Sequence, residues 1–132
     1  MKIPPEATPK PWGGYLTIFQ HPLCRIVRCW INERGKSSVH LHERQDNIFV
    51  VESGYLTLET FDQIVVHANA SIDQRGKTSF KDCSQTVRLK PNGQFFTVPK
   101  RIKHRFQALA DSVILEIYLG ENPVEEDIVR FP

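Results

Sequence analysis

Short segments with the character of β-strands recur along almost the whole chain, and residues that favour turns separate them. Glycine, proline and asparagine cluster between the segments, as at Lys90-Pro91-Asn92-Gly93, and Ser53-Gly54 predicts a tight hairpin. Many short strands at close spacing are typical of all-β sandwiches and barrels. The strand candidates are residues 15–19, 25–32, 39–42, 48–52, 55–61, 63–67, 86–89, 94–98, 105–109 and 113–119. Only residues 123–129 have the character of a short helix, because Pro123 precedes acidic residues there.

Length and composition fit one small domain, which we predict to span residues 1–132. A hydrophobic content of 40% argues against global disorder, and a net charge of +2 gives no strong attraction to nucleic acid. We expect no membrane partner, because no apolar run approaches the roughly 20 residues that span a bilayer and the N-terminus lacks a signal-peptide core. Cys24, Cys29 and Cys83 lack Cys-x-x-Cys spacing, so we interpret them as reduced thiols of a cytoplasmic protein.

Three histidines are the strongest candidates for a functional site. His40 and His42 form a His-x-His pair on a predicted strand, so both imidazoles project from one face, because side chains alternate with a period of two. His104 follows another predicted strand far along the chain and would complete a site of three nitrogen ligands. Such a site suits a divalent ion such as Zn, Mn, Fe, Ni or Co, among which the sequence does not choose. The alternative is that the pair is ordinary surface polarity.

The glycines and proline around these histidines resemble the two motifs of the cupin superfamily. The first motif runs Gly, His-x-His, Glu, Gly, and the second runs Gly, Pro, His. The matching residues are Gly35, His40, His42, Gly54, Gly93, Pro99 and His104. The resemblance implies a cupin-type double-stranded β-helix, that is, a jelly-roll barrel, with a metal ion held by the histidines.

The chain also departs from these motifs. The family places an acidic ligand five residues after the second histidine, where this chain has Asn47. An amide offers a neutral oxygen instead of a carboxylate, so Asn47 is a weak fourth ligand, or the site has lost its metal. A glycine and a closing asparagine of the second motif are replaced by Arg101 and Ala108.

Both ends of the chain show a narrower resemblance. Residues 10–15, Lys-Pro-Trp-Gly-Gly-Tyr, are similar to the opening of the cupin domain of type II mannose-6-phosphate isomerases. Residues 116–121 and 126–131 are similar to the close of that domain. The resemblance covers residues 9–131 except for a divergent middle, where we predict a hairpin insertion at about residues 60–86. The insertion is either a tolerated surface feature or a lid or partner arm.

Strand alternation assigns further residues to the cavity. If Asn47 takes the ligand position, Phe49 shares its inward face, and Phe106 shares a face with His104. In the last strand, Glu116 and Tyr118 lie opposite an apolar face that we expect to be the core. The two residues then either face solvent or line the cavity, and a match of Glu116 to a family glutamate favours the cavity.

The resemblance implies a sugar-phosphate isomerase, which moves a proton between adjacent carbons of an open-chain sugar. Glu116 is the candidate base, with Glu43 as the runner-up. Arg101 and Lys103, next to His104, are candidates for binding the phosphate, unless they belong to a solvated basic loop. Phe49, Phe106 and Tyr118 are the other candidate substrate contacts.

Two alternatives of different classes stay open. The loss of the acidic ligand at Asn47 fits a non-catalytic sugar-binding or sensing cupin, and three histidines with open positions also suit an Fe(II) dioxygenase. The expected partners are a small sugar ligand and a second copy of the chain. Homodimerisation is implied by the resemblance, with residues 11–14 as a segment that could supply an edge strand to the neighbour.

Overall fold

The computed structural model describes residues 1–61, 69, 71–73, 85–91 and 93–131. All regular structure in these residues is β, and no helix there could cross a bilayer. The strands are β1 (Thr8–Lys10), β2 (Gly13–His21), β3 (Cys24–Ile31), β4 (Val39–Leu41), β5 (Gln45–Ser53), β6 (Leu56–Thr60), β7 (Ser71–Asp73), β8 (Gln85–Leu89), β9 (Phe95–Val98), β10 (His104–Ala108), β11 (Ser112–Gly120) and β12 (Val129–Phe131).

These strands form two antiparallel sheets of six strands each. The first sheet has the order β1-β2-β3-β11-β5-β9, and the second has the order β12-β4-β10-β6-β8-β7. Several neighbours, such as β3 and β11 or β4 and β10, come from distant parts of the sequence, as in a jelly roll. The predicted all-β jelly roll is confirmed.

The connection after β5 crosses from one sheet to the other, so the hairpin predicted at Ser53-Gly54 is wrong. β5 pairs with β11 and β9, whereas β6 pairs with β10 and β8. Gly54 has φ +96°, and a Cβ at this position would lie 2.3 Å from Ser112 Oγ. Glycine is required here because the crossing chain passes directly against β11.

The last long strand shows which face of the first sheet is the interior. Ile114, Glu116 and Tyr118 are buried, whereas the Val113, Leu115 and Ile117 side is only half-buried. The expectation that this apolar side is the core is therefore wrong. Register decides the matter, because Glu116 pairs with residues of β3 and β5 that themselves face inward. The carboxylate consequently enters the space between the sheets.

The interior between the sheets is apolar apart from the histidine region. Its largest fully buried apolar side chains include Phe49, Phe96, Ile31, Leu56, Leu58 and Leu89. Trp12 closes one side of this core, where its ring meets Phe106 edge to face at a centroid distance of 5.3 Å. Aromatic contacts of this geometry add to the stabilisation from burial.

The predicted helix at residues 123–129 is wrong. The segment forms turns and then enters β12. The segment makes two short-range turn bonds, from the Asp127 N–H to the Val124 carbonyl at 3.3 Å and from the Ile128 N–H to the Glu126 carbonyl at 2.8 Å. Other polar groups bond to distant parts of the fold: Gln20 Nε2 donates to the Pro123 carbonyl, and the Asp127 carboxylate accepts from the backbone N–H groups of Glu43 and Arg44. These tertiary bonds replace the bonds that a helix would make.

Two other predicted segments have different outcomes. Most of the predicted hairpin at residues 60–86, including the strand candidate 63–67, lies outside the described residues. In the described part, Ser71–Asp73 adds a short strand to β8. Gly13 and Gly14 pair with β1 on one side and β3 on the other, so these two residues are already paired within their own chain and offer no free edge to a neighbour.

Homodimerisation stays a prediction, and the outward side of the first sheet is where we expect it. Ile48, Val50, Leu115 and Ile117 lie there only half-buried, on adjacent strands. Leu115→Glu should lower the mass measured by light scattering from dimer to monomer, because burying an unpaired carboxylate is costly. Leu109→Glu, at an exposed leucine elsewhere, is the control. A concentration-independent monomer mass for the unaltered protein contradicts the prediction.

Candidate metal centre

The fold brings the three predicted histidines together at one end of the second sheet. His40 on β4 pairs directly with His104 at the start of β10, and His42 follows one residue after β4 ends. Within the described residues, one ligand atom from each imidazole lies within 4.8 Å of the other two. All three side chains are buried. The His-x-His pair and the distant histidine therefore form one cluster, as the spacing predicted.

Each imidazole is held in the same tautomer by the backbone. A carbonyl oxygen only accepts a hydrogen bond, so the nitrogen that contacts it carries the proton. The contacts run from His40 Nδ1 to Ser38 O at 2.8 Å, from His42 Nδ1 to Asp127 O at 2.7 Å and from His104 Nδ1 to Ile102 O at 2.8 Å. Protonation at Nδ1 leaves Nε2 of each ring with a free lone pair, which is the form that binds a metal.

The electrostatics of the cluster also fit a cation bound by neutral imidazoles. Burial, together with the neighbouring His42, lowers the pKa of His40 to about 4. Burial, together with His40, lowers the pKa of His104 well below its usual range. The Nε2 atoms of His42 and His104 are buried and have no hydrogen-bond partner. A buried polar atom without a partner is costly, and a divalent metal ion would satisfy these lone pairs.

The two polar atoms of the Asn47 amide differ in their surroundings. Its Nδ2 donates to Glu116 Oε1 at 3.2 Å, while its Oδ1 is buried without a hydrogen-bond partner. The residue is fully buried on the inward face of β5. The amide oxygen is therefore the atom that Asn47 can offer to a metal ion, and its role as a ligand stays a prediction.

Glu116 is the buried carboxylate of the cavity. The Cys29 thiol donates to its Oε2 at 3.2 Å, and Tyr118 also hydrogen bonds to it. Burial, reinforced by the nearby Glu116, raises the pKa of Cys29 and of Tyr118 well above the usual range. Both groups therefore stay protonated at neutral pH and act as hydrogen-bond donors that orient the carboxylate.

A cavity of about 280 Å³ opens beside the cluster. The predicted residues that line it are His40, His42, Phe106, Glu116 and Tyr118. Other residues in its wall include Trp12, Tyr15, Arg25, Lys36, Glu125 and Arg130. Phe49 packs behind the cavity, with its ring 6.0 Å from that of His104.

The remaining predicted residues lie elsewhere. Glu43 and Arg101 line a separate depression on the surface, and the Lys103 ammonium lies 5.1 Å from the ring centroid of Phe131. Being next to His104 in sequence therefore does not place these cations in the cavity. Arg101 has φ +69°, a conformation that glycine adopts easily, which explains why the family motif has glycine there.

Several residues of the site were not assigned to it from the sequence, among them Trp12, Tyr15, Lys36 and Glu125. Arg25 and Arg130 line the cavity, and Asp127 supplies the carbonyl that orients His42. Both faces of β3 carry apolar residues, so alternation alone does not assign Arg25 to the interior. The position of Asp127 depends on its contact with the turn after His42, for which the sequence carries no signal.

Comparisons with known proteins support the fold. No family model and no curated protein matches the sequence. Solved structures match at low identity. KdgF from Halomonas sp. has 19% identity and a TM-score of 0.64, over 89% of this chain and 84% of that one. Streptomyces PAC13, in a complex with uridine, has 12% identity and a TM-score of 0.67, over 96% and 84%. Lactobacillus farciminis oxalate decarboxylase, in a formate complex, has 13% identity and a TM-score of 0.68, over 96% of this chain and 33% of that one.

These likenesses establish a cupin fold. On that fold, His40, His42 and His104 form a buried cluster that offers one ligand atom each to a divalent metal ion. The identity of the ion and the reaction are matters for proposal.

We expect the histidine cluster to bind about one equivalent of Zn²⁺ or Mn²⁺. His42→Ala should weaken binding, measured by titration calorimetry, by more than the roughly 100-fold loss typical of residues that only support a ligand. His21→Ala, at an exposed histidine, should leave the affinity unchanged. Equal affinities in the two variants would contradict the assignment.

Asn47→Glu should have opposite effects on stability and on metal affinity. The new carboxylate would replace the amide donor beside Glu116, so like charges would meet and the metal-free protein should unfold at a lower urea concentration. The added charge should tighten metal binding in calorimetric titration. Asn47→Ala, which removes the amide without adding charge, separates the two effects. If the glutamate variant binds metal more weakly than the unaltered protein, Asn47 is not at a ligand position.

Proposed function

We propose that this protein is a metal-dependent cupin that binds a small sugar or sugar phosphate and moves a proton between its adjacent carbons. The observation that carries the proposal is the position of Glu116. A buried carboxylate, held by Asn47, Cys29 and Tyr118, lines the same cavity as His40 and His42. A base beside an electrophilic centre is what aldose–ketose isomerisation needs.

In this proposal the histidines hold the metal and Glu116 moves the proton. A divalent ion bound by His40, His42 and His104 would polarise the carbonyl of the ligand. Glu116 takes the proton from the hydroxyl-bearing carbon next to the carbonyl and returns it to the former carbonyl carbon. The hydroxyl proton passes to the former carbonyl oxygen, so the hydroxyl and the carbonyl exchange places. Its hydrogen bonds hold the carboxylate in place, so it stays beside the two adjacent carbons while it takes up the proton and then returns it.

The cavity fits a small ligand. Its volume of about 280 Å³ lies near the lower end of the roughly 300–1,000 Å³ typical of small-molecule sites. Trp12, Tyr15 and Tyr118 offer aromatic rings in the wall, and polar groups are interspersed among them. Such a mixture suits the apolar and hydroxyl-bearing sides of a sugar. The finer identification as a mannose-6-phosphate isomerase rests on the resemblance of residues 10–15, 116–121 and 126–131.

A non-catalytic sugar-binding cupin is the second candidate. Asn47 favours it, because an amide oxygen binds a divalent ion less strongly than the carboxylate of the cupin motif. The two candidates differ in turnover, while both require ligand binding in the cavity.

Metal-loaded protein incubated with mannose 6-phosphate and fructose 6-phosphate tests the proposal. We expect interconversion, and we expect Glu116→Gln to abolish it while ligand binding changes little, because the base acts only in the transition state. Glu52→Gln, on the outward side of β5, should keep the activity. Binding without interconversion selects the non-catalytic candidate. Neither binding nor turnover with several sugar phosphates contradicts both.

A further inference from the structure

Arg25 is a buried cation that has no direct ion pair among the described residues, although Glu125 is near enough to interact with its charge. Its side chain is 7% exposed, and Nη2 donates to Thr17 Oγ1 at 3.1 Å. No carboxylate of the described residues lies within 4.0 Å of the guanidinium. A guanidinium carries five N–H donors, and burying it without an anion costs free energy. The hydroxyl of Thr17 satisfies only part of this capacity.

The ring of Tyr118 lies between the Arg25 guanidinium and the histidine cluster. Its Cζ is 5.5 Å from the ring centroid of Tyr118, whose ring centroid is in turn 5.4 Å from that of His42. Arg25, Tyr118 and His42 all line the cavity. One small ligand can therefore contact Arg25 with one end while its other end faces the histidines.

The other charges in the wall leave the cavity positive. Lys10 pairs with Glu125 at 3.4 Å, so these two charges offset each other at the mouth. Arg130 lines the cavity from the opposite sheet, where it pairs with His40 in the β12–β4 ladder. Lys36 adds a further cation to the lining. Among the described residues of the wall, the carboxylates are Glu116 and Glu125, and they are outnumbered by the cations Lys10, Arg25, Lys36 and Arg130.

We propose that Arg25 is the anchor for an anionic group of the ligand, so that the cavity selects acidic sugars over neutral ones. The inference rests on the proposed function, since it assumes that the ligand occupies the cavity beside the histidines. A guanidinium matches the two oxygens of a carboxylate or phosphate and forms charge-assisted hydrogen bonds with them. The anion site is therefore Arg25 on β3, assisted from the other sheet by Arg130, and not the basic loop at Arg101 and Lys103.

Matched charged and neutral sugars test this inference by calorimetric titration of the zinc-loaded protein. The probes are glucuronate and glucose 6-phosphate, each compared with glucose. We expect the charged sugars to bind roughly tenfold to hundredfold more tightly than glucose, as for hydrogen bonds to a charged group. Arg25→Gln should remove most of this preference without changing the affinity for zinc. Arg25→Lys keeps the positive charge but loses the paired N–H donors of the guanidinium, so it should retain part of the preference for charged sugars.

Arg28→Gln is the matched control. Arg28 lies on the same strand with its side chain on the outward face, where it pairs with Glu52 at 2.8 Å. This variant should keep the full preference for charged sugars. Equal binding of charged and neutral sugars, or a preference that survives in Arg25→Gln, overturns the inference. A higher affinity for glucose 6-phosphate than for glucuronate identifies phosphate as the preferred anion, and the reverse order identifies carboxylate.

The outcomes separate this inference from the proposed function. If zinc does not bind, or if no sugar binds, the proposed function fails. If zinc and glucose bind but charge brings no advantage, only the anchor role of Arg25 fails. Arg130→Gln, measured with the same sugars, should reduce the preference by less than Arg25→Gln, because Arg130 is exposed.

Discussion

The cross-strand pairing of His40 with His104 is the constraint on which the rest of the site depends. β4 and β10 are adjacent in the second sheet, and the ladder places these two histidines opposite each other. Their ring centroids lie 4.4 Å apart, and the ring of His42 is 5.1 Å from that of His40. The carbonyls of Ser38, Ile102 and Asp127, which lie just outside the strands, then fix every Nδ1 proton. Few side-chain adjustments are needed for the three Nε2 atoms to face one another.

Asn47, which stands where the cupin motif has a carboxylate, is hydrogen bonded to Glu116 on the neighbouring strand. Asn47 lies on β5 and Glu116 on the neighbouring β11, and the amide of one donates to the carboxylate of the other. A glutamate at position 47 would place two carboxylates together in a buried space, which is unfavourable unless a cation lies between them. The asparagine thus permits Glu116 to remain in the cavity as a separate carboxylate. The same side chain makes a neutral amide oxygen, and not a carboxylate, the group that position 47 can offer to a cation.

Both sheets contribute side chains to the lining of the cavity. The second sheet and the residue that follows β4 contribute His40, His42 and Arg130, while the first sheet contributes Glu116, Tyr118 and Arg25. The metal-binding groups and the hydrogen-bonding groups therefore face each other across the interior. A ligand between the sheets would contact both sets at once.

The sequence by itself determined the local features of this protein. The period of two placed His40 and His42 on one face, turn residues marked most strand ends, and Asn47 stood out against the cupin motif. The tertiary structure decided which faces are interior. The apolar side of β11 looked like core, yet register with β3 and β5 turned Glu116 inward and Leu115 outward. Sequence proximity suggested Arg101 and Lys103 as the cations beside His104, whereas Arg25 and Arg130 reach the cavity from distant strands. Alternation fixes only which residues share a face, and pairing between distant strands decides where that face points.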